Sequence, residues 1–153
     1  MKKSLRITNW IGIAAAALMV AVVVMHFIPF WRYQGESASI AAYIWRPYKN
    51  TAFTELFRSY FGKGFKMTLL LGLPMALSLV GNAAGAVACA VKSSRAAVYM
   101  IPVVGGLSGL LGLLVSPVFK LSGLWLPLLV LHGLVLAVGI LGSVLAAISK
   151  KKG

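Results

Sequence analysis

The stretch LWLPLLVLHGLVLAVGILGSVLAAI, residues 124–148, decides how this chain folds. Its 25 residues include no Asp, Glu, Lys or Arg. A helix that crosses the hydrocarbon of a bilayer needs about 20 mainly apolar residues. A soluble helix of the same length would carry a charged face, and this segment has no residues to make one. Three further stretches reach the same length, roughly 7–29, 67–91 and 96–116. The expected fold is an all-α membrane protein, a four-transmembrane-helix bundle. Residues 1–153 form one integral membrane domain, with an outer loop over 30–66.

Composition narrows the function. The chain is 60% hydrophobic and 11% charged, whereas about a quarter of a soluble domain is charged. Its two carboxylates, Glu36 and Glu55, both lie outside the spans. Paired-carboxylate hydrolysis, two-metal catalysis and acid-lined cation pathways all need more acids than this. Cys89 is the single cysteine, so neither an intrachain disulfide nor a Cys-based zinc site can form. No metal, no cofactor and no enzymatic activity are expected.

The net charge of +13 suits a protein surrounded by anionic lipid headgroups, and no nucleic-acid partner is inferred from it. Lys2, Lys3, Arg6, Lys92, Arg95, Lys150, Lys151 and Lys152 fall on one side of four spans. Arg32, Arg46, Lys49, Arg58, Lys63, Lys66 and Lys120 fall on the other. The first set sits in much shorter segments, which places both termini in the cytoplasm. The first apolar run exceeds the core of a signal peptide and is bracketed by Trp10 and Trp31. It reads as an uncleaved anchor in a plasma membrane.

Lipid gives helices no hydrophobic reason to associate, so small residues and hydrogen bonds must hold them. Gly81 and Gly85 in the second span, Gly105, Gly109 and Gly112 in the third, and Gly139 in the fourth recur at helical spacing. These faces are expected to meet inside the bundle. Pro74, Pro102 and Pro127 fall within spans, where each could kink its helix and open a cavity. His132 is an ionisable group near the midplane, costly unless partnered. Ser78 and Ser108 lie near the same depth, and Asn82 about one turn deeper. These four are the candidate polar core or ligand site. His26 is expected at the outer interface.

The loop over 30–66 is the place for a recognition surface. Phe30 to Glu36 reads as an extended piece and a turn, Ser39 to Trp45 as a second strand, and Thr51 to Phe61 as an amphipathic helix. Trp31, Arg32, Trp45, Arg46, Phe53 and Phe57 are its candidate contact residues. Aromatic and arginine side chains serve both as interface hot spots and as headgroup anchors.

Four spans, cytoplasmic ends and an outer strand-and-helix segment between the first two resemble the claudin-type arrangement. The likeness is one of topology: Trp31 is present, but the Gly-Leu-Trp pattern and the loop cysteines of that family are not. No junction or pore role is carried over. The segments Phe27-Ile28-Pro29-Phe30-Trp31 and Tyr43-Ile44-Trp45-Arg46-Pro47 are similar to small four-span bacterial membrane proteins, a likeness that supplies no activity. The expected function is assembly, as a homo-oligomer or as an accessory subunit of a membrane complex. The alternative is a transporter or pore component for a small anionic or neutral solute.

Overall fold

The computed structural model describes the backbone of residues 2–45, 51–62, 72–92 and 94–151, and side chains within 7, 9–45, 54–62, 72–92 and 94–150. Arg46, the side chain of Phe53 and the expected start of the second span at residue 67 lie outside the described residues.

Six α-helices and one hairpin are described. Helix α1 (Lys2–Phe27) leads into strands β1 (Pro29–Tyr33) and β2 (Glu36–Ser39). The short helix α2 (Ile40–Trp45) and then α3 (Thr51–Phe61) follow. Helices α4 (Leu73–Lys92), α5 (Met100–Val115) and α6 (Trp125–Lys151) complete the chain. A 3-10 turn over Ala96–Tyr99 runs directly into α5, and another over Pro117–Leu121 follows it. Four segments are long and apolar enough to cross a membrane: Asn9–Phe27, Leu73–Lys92, Ala96–Val115 and Trp125–Lys150.

These four pack as a closed ring in which α1 touches α4 and α6, and α5 touches the same two. Short connections between α4 and α5 and between α5 and α6 make sequence neighbours antiparallel. Small residues let the backbones close in. A methyl group on Gly81 would lie 3.2 Å from Gly105 Cα, and one on Gly85 would lie 2.6 Å from Met19 Sδ. Gly112 faces Met75, and Gly139 faces Val103.

Two of the three span prolines sit where a helix begins, a place at which proline is tolerated without a kink. Pro74 is the second residue of α4 and Pro127 the third of α6, whereas Pro102, third in α5, follows a 3-10 turn that runs directly into that helix. At Pro74 and Pro127 the first turn of the helix has no internal acceptor for its N–H groups, so a missing donor there costs nothing.

The segment 39–45 also departs from the expected strand. β2 ends at Ser39, whose Oγ accepts from Ala42 N at 3.1 Å. That side-chain cap starts a helix, and α2 buries Ile40, Ala41 and Tyr43. The β-aromatic residues that suggested a strand therefore pack from a helical face. The hairpin itself closes through Gln34 and Gly35, at φ +50° and +81°. Positive φ at both central residues is the signature of the turn that matches strand twist.

Candidate functional site

A polar layer crosses the bundle one to two turns below the hairpin. His132 lies seven residues into α6, about 10 Å along its axis. Its Nδ1 is 2.8 Å from Leu128 O and its Nε2 is 2.7 Å from Ser78 Oγ. A carbonyl only accepts, so Nδ1 carries the proton and Nε2 is left to accept from the serine hydroxyl. Asn82 Nδ2 donates to Ser78 O at 2.8 Å and to Ser78 Oγ at 3.0 Å. The result is a directed chain, Asn82 to Ser78 to His132 to the Leu128 carbonyl.

This chain links α4 to α6 across the ring, which needs room at the centre. Gly109 on α5 provides it: a methyl group there would sit 1.8 Å from His132 Cδ2. Gly105 does the same for Asn82, with its Nδ2 3.1 Å from where a Cβ would be. Ser108 is half-buried, about 100° around α5 from the glycine that meets the imidazole. The chain runs through Ser78 and not through Ser108.

His26 belongs to the layer as well. It is fully buried, with its ring centroid 6.0 Å from that of His132 in an edge-on arrangement. Its Nδ1 donates to Val22 O at 2.8 Å, which makes Nε2 an acceptor. That atom and Asn82 Oδ1 are buried without a hydrogen-bond partner. The sequence placed His26 at the interface because it lies at the end of α1. The missed signal was the 4-3-4 spacing of Ala15, Met19, Val22 and His26, which puts all four on one buried face.

Apolar packing closes the layer on both sides. Met75, Leu113 and Leu128 lie about one turn nearer the hairpin than Ser78, Gly109 and His132, in one cluster with Phe30, Trp31 and Phe119. Val22, Ala86, Cys89, Tyr99 and Val135 form the cluster on the other side. The serine–histidine pair has the hydrogen-bond direction of a nucleophile and its base. Its tautomer is held by a backbone carbonyl in place of an acid, and both side chains are fully buried.

The outer contact residues divide. Trp31 and Phe57 are buried and unavailable to a partner, which corrects their expected place on a recognition surface. Trp31 stacks on Phe119 at 5.5 Å, packs edge-on to Phe57, and donates from Nε1 to Val118 O at 3.1 Å. The hairpin and α3 fold over the bundle end, so their aromatics become its cap. Arg32 and Trp45 are exposed. On α3, Phe57 faces inward and Tyr60 outward, with Leu56 and Phe61 half-buried.

An open groove of about 550 Å³ runs between β1 and the corner before α6, lined by Ile28, Arg32, Leu56, Leu121 and Leu124 among others. A second groove follows the outer side of the hairpin, past Arg32 and Glu36. Among the described residues, no group of three His, Cys, Asp or Glu side chains is placed to hold a metal ion. The chain matches no family model, no curated protein and no solved structure.

Proposed function

We propose that this chain is a small, non-enzymatic integral membrane protein of a bacterial plasma membrane. It works by assembly, through self-association or as an accessory subunit of a membrane complex, with both ends in the cytoplasm. The observation that supports this reading is where polar and apolar groups lie. The polar layer is spent largely on itself and is closed between two apolar clusters. Large apolar side chains point outward along all four long helices, among them Val20, Leu77, Val80, Leu111 and Val130. A soluble monomer rarely shows so continuous an apolar surface. Lipid and other spans are the partners such a surface accepts.

Gentle extraction tests the reading. Blue-native electrophoresis and mass photometry in a mild detergent should give a particle larger than one chain, or a co-purifying membrane protein. A strictly monomeric particle with nothing attached would overturn it.

One observation favours the transport alternative. His26 Nε2 and Asn82 Oδ1 are buried acceptors without donors. A layer with surplus acceptors suits a neutral solute that donates hydrogen bonds and repels an anion. Within that alternative, the neutral solute is the better fit.

A further inference from the structure

We propose that the groove between β1 and the corner before α6 seats a phospholipid of the hairpin-side leaflet. Its phosphate lies on Arg32 and one acyl chain runs along Ile28, Leu121 and Leu124. This rests on the reading of the four long helices as membrane spans.

The volume of about 550 Å³ falls within the range of small-molecule sites, about 300–1,000 Å³. The groove is amphipathic. Ile28, Leu56, Leu121 and Leu124 supply apolar walls, and the Arg32 side chain stands exposed at the lip. Glu36 lies in the shallower groove on the other side of Arg32, yet among the described residues no carboxylate pairs with the guanidinium. Ser122, the other polar wall, is occupied: its hydroxyl donates to Phe30 O and accepts from Leu124 N. Arg32 is thus the free charge of the site, and a guanidinium binds phosphate through two parallel hydrogen bonds.

Position selects the lipid over other anions. Ile28 follows the last residue of α1, and Leu124 precedes the first residue of α6. These helices are neighbours in the ring, and Phe27 and Leu126 beside the groove are exposed. The groove therefore opens where two spans leave the apolar layer, the level at which headgroup phosphates and acyl chains meet. A soluble anion would satisfy Arg32 and leave the apolar walls in water. A phospholipid satisfies both.

Native mass spectrometry of the full chain in a neutral detergent tests this, with phosphatidylglycerol, phosphate-free diacylglycerol and inorganic phosphate as probes. Phosphatidylglycerol should bind, and both Arg32→Gln and the loss of the phosphate should weaken binding about tenfold. Leu124→Trp, which fills the groove, should weaken it too. Arg58→Gln, an exposed arginine of α3 outside the groove, should leave it unchanged. Unaltered binding by Arg32→Gln, an equal loss with Arg58→Gln, or displacement of the lipid by inorganic phosphate would each overturn the proposal. Alkaline extraction of each variant separates the two readings. A chain released from membranes fails the span reading. An integrated chain whose lipid binding ignores Arg32 fails this one alone.

Discussion

A methyl group at Gly109 would occupy the space of the His132 ring, 1.8 Å from Cδ2 and 2.1 Å from Nε2. The ring cannot stay where Ser78 reaches it. Gly109→Ala should therefore destabilise the bundle by about 1–3 kcal/mol through overpacking, read as a lower unfolding midpoint in detergent. Gly133 sits within α6, and a methyl group there meets nothing within 4 Å. Gly133→Ala should stabilise by up to about 1 kcal/mol, the difference in helix propensity. The opposite signs distinguish a packing glycine from a merely tolerated one. At this scale the sequence exposed much of the site. Polar residues are so few in these spans that Ser78, Asn82 and His132 could be matched by depth alone. His26 escaped because depth along one helix says nothing about the aromatic cap that folds over its end.

The hairpin and α3 form that cap, and Trp31 is its centre, 3% exposed among Phe30, Tyr43, Phe57 and Phe119. Trp31→Ala should cost about 3–5 kcal/mol, the usual loss for a buried aromatic. Trp31→Phe should keep most of the packing and lose about 1 kcal/mol with the bond to Val118 O. Thermal unfolding in detergent, followed by size-exclusion recovery, ranks the two. Equal stability in wild type and Trp31→Ala would mean that the cap does not seal the bundle. The sequence showed the first strand, its turn and a helix over Thr51–Phe61, but placed the second strand over Ser39 to Trp45, where α2 stands. Ile40, Tyr43, Ile44 and Trp45 have the composition of a strand, and only the Ser39 cap and the burial of Tyr43 against Trp31 decide for a helix. Pro74 and Pro127 misled for a related reason. Their effect depends on distance from a helix start, and composition does not fix helix starts.

Across the whole molecule, the four apolar helices were legible because their length and lack of charge admit few other readings. Orientation rests on a basic count of eight against seven, weighted by loop length, and needs a direct measurement. In a Cys89→Ser background, Gln34→Cys on the hairpin turn and Ser94→Cys between α4 and α5 are both at exposed positions. A membrane-impermeant maleimide applied to intact cells should label the first, and the second only after lysis. The reverse pattern would put the termini outside. The ring of helices was less legible than its members, since Gly, Ser and Asn stripes show that faces pack and not which faces meet.

The imidazole that accepts from Ser78 sits on the fourth of the four long helices in chain order. For a chain inserted in order from its N-terminus, Ser78, Asn82 and His26 enter lipid before that acceptor exists. Until α6 arrives, the earlier helices carry exposed polar groups that hydrocarbon penalises. The polar core is then complete only once the helix that carries His132 has joined the other three. A chain stopped short of residue 132 would remain marked as unfinished, a form that membrane proteases and insertion chaperones can tell from the mature protein.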